Sequence, residues 1–228
     1  MLAAGVIHEV VNPSTLTPLQ YGFLNSGELE DILKNIPAIQ TIRKYNFKTY
    51  TKIANDVEAQ IKKGTSILEI QQVVSDYLQV IASDSLPITS DDALIAFARE
   101  IINVLRVLEK KDPILCMKNL FPEQYGALEI TKYLSNEEMT PLMDALNQVI
   151  LDSYEGSVNT KIDTAAAEDL MSRLLIELGD DVGYLEAQDL KNGEEYSKAC
   201  KAIINFYELI LRYDNKTSAN GLRYAFSS

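Results

Sequence analysis

Apolar residues recur along this chain at three- and four-residue steps almost from end to end. The clearest run lies within 91–112, where Leu94, Phe97, Ala98, Ile101, Ile102, Leu105 and Leu108 form one stripe of helical period. Ser90 precedes it as a cap, and Asp112-Pro113 ends it and supplies the N-cap and first residue of a short helix, "PILCMKNLF", that stops before Pro122. Upstream, Ser26 caps "GELEDILKN", with acids in the first turn where the helix dipole favours them. Pro37 opens a helix carrying Ile39, Ile42, Tyr50, Ile53, Val57 and Ile61, and "YNF" at 45–47 offers a break in it. Gly64 closes that helix. "SILE" at 66–69 has the form of a capping box and introduces Ile67, Ile70, Val74, Tyr77, Leu78 and Ile81.

The second half repeats the style. "ALEITKYL" reads as a short helix, and "SNEE" at 135–138 is another capping box, ahead of Met139, Leu142, Met143, Leu146, Val149 and Ile150. Asp163 caps a helix with Leu170, Met171, Leu174, Leu175 and Leu178, closed by Gly179. A long helix follows from Gly193 to about Tyr213. The tail "KTSANGLRYAFSS" reads as weakly structured. No run alternates apolar and polar between turn dipeptides as a strand would. The expectation is an all-α, compact multi-helix bundle of seven to nine helices. It comprises a partly irregular segment at 1–25, one helical domain at 26–213 and a tail at 214–228.

A shift of 102 residues lays "DDALIAFAREIINVLRVLEKKD" on "GEEYSKACKAIINFYELILRYD". Ile101, Ile102, Asn103 and Asp112 then meet Ile203, Ile204, Asn205 and Asp214. Four identities are within reach of two unrelated amphipathic helices. The order of elements nevertheless allows two similar three-helix halves, 38–121 and 135–213, which would bury a core only when stacked.

With 228 residues, 46% of them hydrophobic, the chain can bury a core without staples. Its two cysteines, Cys116 and Cys200, are too few for a disulfide framework. The favoured reading is two small buried residues, with a Cys116–Cys200 bridge as the alternative. No apolar run approaches the roughly 20 residues of a membrane span. "MLAAGVIHEVV" lacks the basic flank and full apolar core of a signal peptide. The compartment stays open: cytoplasmic, or exported and periplasmic if a signal or anchor lay upstream.

The net charge of −12 is unevenly distributed. Residues 135–195 hold 15 acids against Lys161, Arg173 and Lys191, a net −12. Residues 32–55 hold no acid and carry Lys34, Arg43, Lys44, Lys48 and Lys52, a net +5. An acidic chain is a poor nucleic-acid binder, since phosphate contacts dominate that affinity. The simplest account of the asymmetry packs the basic stretch beside the acidic half of the same molecule.

Most catalytic chemistry lacks its residues. His8 is the single histidine, so Ser-His-Asp and Cys-His pairs have one candidate in a peripheral segment. No cluster of Cys and His has zinc spacing, and no glycine-rich phosphate loop occurs. "GDDVG" at 179–183 has too few carboxylates for a calcium loop and reads as a helix–helix turn. Glu100 lies beside the strongest apolar stripe, where a buried acid would be a functional candidate and an exposed one ordinary; the latter is favoured. No catalytic residue, cofactor or metal is therefore assigned.

The most distinctive local composition interleaves Tyr45, Phe47 and Tyr50 with Arg43, Lys44, Lys48 and Lys52. One reading is a surface for an anionic partner. The favoured reading turns the aromatics to the core and leaves the cations in solvent. Helical spacing puts Arg43, Phe47 and Tyr50 on one face and Lys44, Lys48 and Lys52 on another. The expected function is non-catalytic: a helical protein-interaction domain whose partner is another protein. One alternative is a helical enzyme or ligand-binding domain with a carboxylate- and tyrosine-lined pocket. Another is a soluble envelope-associated domain working at a membrane surface. Nucleic acid is not an expected partner.

Overall fold

A computed structural model of the chain describes residues 33–126, 128–156, 161–186 and 190–227. Among these residues there are ten α-helices, nine of them at least seven residues long, and no strand. The all-α architecture is the one the periodicity predicts. The helix expected after Ser26 begins outside the described residues.

Local chemistry sets most boundaries. Helix α1 (Pro37–Tyr45) and α2 (Phe47–Lys62) meet at Asn46. The Asn46 N–H donates to the Ile42 carbonyl at 2.7 Å, closing α1, and its side-chain oxygen accepts from the Thr49 N–H at 3.1 Å, opening α2. Gly64 then adopts φ 71°, the left-handed conformation that glycine adopts without strain. Helix α3 (Ile67–Ser85) starts on the Ser66–Glu69 capping box and α7 (Asn136–Glu155) on the Ser135–Glu138 box, with both reciprocal bonds present in each. Helix α4 (Asp91–Lys111) is capped by Ser90, α5 (Pro113–Leu120) by Asp112, and α8 (Thr164–Leu178) by Asp163. A single turn, α6 (Pro122–Tyr125), follows α5. Of "ALEITKYL", the described residues 128–134 supply a 3-10 turn at Ile130–Lys132. A second 3-10 turn, Gly179–Tyr184, leads from α8 toward α9 (Gly193–Ile210).

The expectation of a weak tail is overturned. Residues 215–227 form a helix, α10 (Asn215–Ser227), that buries Ser218, Ala219, Gly221, Leu222, Arg223 and Ala225. Asp214 caps it by accepting from the Thr217 N–H at 3.1 Å. Gly221 lets α10 approach α8: a Cβ there would lie 2.7 Å from Leu170 Cδ2. Arg223, 3% exposed, reaches back to the start of α4 and donates to Asp91 Oδ1 and to the Thr89 carbonyl, each at 2.7 Å.

Helix α4 lies at the centre, covered by α5, α7, α9 and α10. Being covered on several sides, it buries Ala93, Ile95 and Val104 in addition to the expected stripe. Helix α7 also packs on α1 and α3, while α8 packs on α9 and α10. One continuous buried cluster extends from Leu33 to Ala225, drawing on both halves of the chain.

The favoured reading of two separate thiols gives way to a bridge. Cys116 on α5 and Cys200 on α9 form a disulfide, with Cα atoms 6.1 Å apart and both residues 0% exposed. Burial was legible, but pairing needed α5 to lie on α9. Helices α4–α5 and α9–α10 pack reciprocally: α5 crosses onto α9, and α10 crosses onto α4. Asp112 and Asp214, matched by the 102-residue shift, cap the second helix of each pair.

Candidate functional site

The interleaved cations and aromatics of residues 43–52 gather around the α1–α2 junction. Ile39 and Ile42 of α1 and Ile53 and Val57 of α2 are buried, which fixes the outward faces of both helices. Arg43, Lys44, Lys48 and Lys52 are all exposed. Tyr50 is the hub: the Arg43 guanidinium lies over its ring at 5.3 Å, and the Phe47 ring stacks on it at 6.0 Å. Arg43, Phe47 and Tyr50 do come together, as the spacing suggested. Their orientation differs, because Phe47 is 66% exposed rather than turned to the core. The phase of α2 is the reason: Phe47 stands six and ten residues before the buried Ile53 and Val57, about 100° round the helix from them.

Lys44 and Lys52 sit against rings. Lys44 Nζ lies 4.6 Å from the Tyr45 ring centroid and donates to Tyr45 Oη at 2.9 Å. That hydrogen bond is the main cause of a raised Lys44 pKa, so the ammonium is firmly charged at neutral pH. Tyr45 Oη donates in turn to Glu155 Oε1 at 2.7 Å, and its ring stacks on Tyr154 at 5.8 Å. Lys52 Nζ lies 5.3 Å from the Tyr77 ring. Among the described residues, no carboxylate forms an ion pair with Lys44, Lys48 or Lys52. Cation–π contacts orient a cation without neutralising it, so the charges remain presented to solvent. The simple account of the asymmetry holds for α1, which packs on the acidic-half helix α7, with Thr41 Oγ1 bonded to Asn147 Oδ1 at 2.7 Å. It does not account for the cations of α2.

Comparison with family models, curated proteins and solved structures finds no match for this chain.

The acids considered from sequence do not assemble. Glu100 is half-buried and accepts from Asn103 Nδ2 at 3.1 Å on its own helix. Tyr77 donates to Asp56 across the α2–α3 contact, and burial together with that bond pushes its phenol up to about 12. Among the described residues no group of three His, Cys, Asp or Glu side chains is placed to hold a metal ion. His8 lies outside the described residues. Sequence reasoning missed the Arg223–Asp91 pair and the fully buried Tyr207, whose phenol is raised by desolvation. Ala219, Leu222 and Ala225 at helical steps after Asp214-x-x-Thr217 were the signal that could have exposed the Arg223 helix.

Proposed function

We propose that this chain is a non-catalytic helical interaction domain whose α1–α2 face docks on an acidic surface of another protein. The observation that carries the reading is Phe47, 66% exposed at the α1–α2 junction on a segment that also exposes Arg43, Lys44, Lys48 and Lys52. An aromatic anchor inside a charged rim is the usual anatomy of a protein interface. The rim steers an anionic partner, and burying the ring stabilises the encounter. A protein partner is favoured over an anionic bilayer or a nucleic acid because the whole chain carries −12, which opposes approach to an extended negative surface. The buried Cys116–Cys200 bridge supports an exported or periplasmic setting, since disulfides persist in oxidising compartments.

A photo-crosslinking residue at position 47, introduced in the native cells, tests the reading. The expected result is a discrete protein adduct that disappears when Lys44, Lys48 and Lys52 are changed together to Glu. Adducts to lipid alone, or a protein adduct indifferent to the triple change, would refute it.

A further inference from the structure

Helix α8 buries a single stripe, Ala167, Leu170, Leu174 and Leu178, against its neighbours. Its other side exposes Ala165, Ala166, Ser172, Leu175 and Ile176. Leu175 is 40% exposed and Ile176 81%, the largest exposure among the large hydrophobic side chains of the described residues. The rim is acidic. Asp169 pairs with Arg173 at 2.7 Å and Glu177 with Arg212 at 3.0 Å, while Glu168, Asp180 and Asp181 make no ion pair among the described residues. Surface pairs of this kind contribute little to the stability of the monomer. At 81% exposed, Ile176 is left uncovered by the described residues as α8 packs on α9 and α10, so the helix carries an exposed apolar anchor in a negative field.

We propose that this α8 face is a second docking surface and that its occupant is the α1–α2 face of another copy of this chain. The inference rests on the reading of the α1–α2 face as a docking surface for acidic protein. The two faces are complementary part for part. Phe47 and Ile176 are exposed apolar anchors, one on a segment that also exposes Arg43, Lys44, Lys48 and Lys52, the other on a helix that exposes Glu168 and leads into exposed Asp180 and Asp181. Pairing α8 with its own equivalent would set these acids against each other, whereas pairing with α1–α2 sets acid against base. Such a contact joins unlike faces, so copies associate head to tail, as a ring or an open chain. Two single anchors with polar rims correspond to a small interface, with dissociation constants of roughly tens to hundreds of micromolar.

Salt dependence follows from the charges. Two copies at −12 repel at long range, and the rims attract at contact. At about 0.1 M salt the Debye length is roughly 10 Å, which damps whole-molecule repulsion and spares the contact. Association therefore peaks near that ionic strength and falls toward 1 M.

Sedimentation equilibrium of the full chain up to 1 mM tests the pairing. The wild type should show concentration-dependent mass at 0.1 M NaCl. Lys44/Lys48/Lys52→Glu, Glu168/Asp180/Asp181→Lys and Ile176→Ser should each weaken association at least tenfold while retaining the wild-type circular dichroism. An equimolar mixture of the two charge-reversed proteins should recover association to within about threefold of wild type, because each supplies the face the other lacks. A wild type that stays monomeric, or a mixture that stays monomeric, overturns the pairing. The crosslink at position 47 separates this failure from that of the underlying reading. An adduct to a different protein refutes the self-partner and leaves the α1–α2 face as a docking surface, whereas no charge-dependent adduct refutes both.

Discussion

Breaking the Cys116–Cys200 bridge should be among the largest single perturbations of this fold. The bridge joins residues separated by 84 positions. In the chain-entropy account, closing a loop of that length removes about 4.5 kcal/mol of conformational freedom from the unfolded state at 25 °C. A domain is stable by only about 5–15 kcal/mol, so the bridge supplies a large share. With a urea slope of roughly 2–3 kcal/mol per molar for a chain of this size, reduction should lower the unfolding midpoint by about 2 M. The effect lies mainly in the unfolded chain, so refolding should slow more than unfolding accelerates. Both sulfur-bearing residues are 0% exposed, so reductant should reach the bridge only after the core opens. The assay is urea unfolding followed by circular dichroism with and without dithiothreitol, alongside thiol titration. Protein denatured without reductant should titrate no thiol, and reduced protein should titrate two. Two thiols in the unreduced, denatured protein, or a midpoint shift under about 0.3 M, would refute the reasoning.

Three further perturbations test the core, the buried ion pair and the caps. Ile101→Ala, at a position 1% exposed on α4, should lose about 2–5 kcal/mol in urea unfolding; a loss under about 1 kcal/mol would mean that α4 is not the central helix. Asp91→Asn strips the charge partner from Arg223, itself 3% exposed, and should cost about 3 kcal/mol, more than Arg223→Met, which removes the buried charge altogether; the reverse order would sink this account. Glu138 is held below the usual carboxylate range, chiefly by the Ser135 N–H and then by Lys111. A depressed carboxyl stabilises the fold above its unfolded value of about 4.3, and the gain is lost as pH falls through the lower folded value. Glu138→Gln should therefore be less stable than wild type at pH 7, with the gap closing toward pH 3; a gap constant across that range would contradict the capping role.

Local sequence was enough to determine the longer helices up to Ile210 and most of their ends. Caps such as Ser66 with Glu69, Ser135 with Glu138, and Asp112 with Pro113 act within four residues, so their chemistry can be read without knowing what lies across the core. The cations and aromatics of the candidate site were likewise visible by composition. Their presentation was not, because which aromatics are buried depends on the elements that cover α1 and α2. Helix α10 is rich in Asn, Ser, Thr and Gly, poor helix formers on their own, and it is held by the burial of Ala219 and Leu222 and by the reach of Arg223 to Asp91, 132 residues away. The partnership of Cys116 with Cys200 depended on α5 crossing onto α9, and their spacing carries no trace of it. Periodicity and caps are local and determined the longer helices up to Ile210, whereas α10 depended on its partners. Which faces meet, which cysteines join and which aromatic stays in water were decided only by packing residues far apart in the chain around one core.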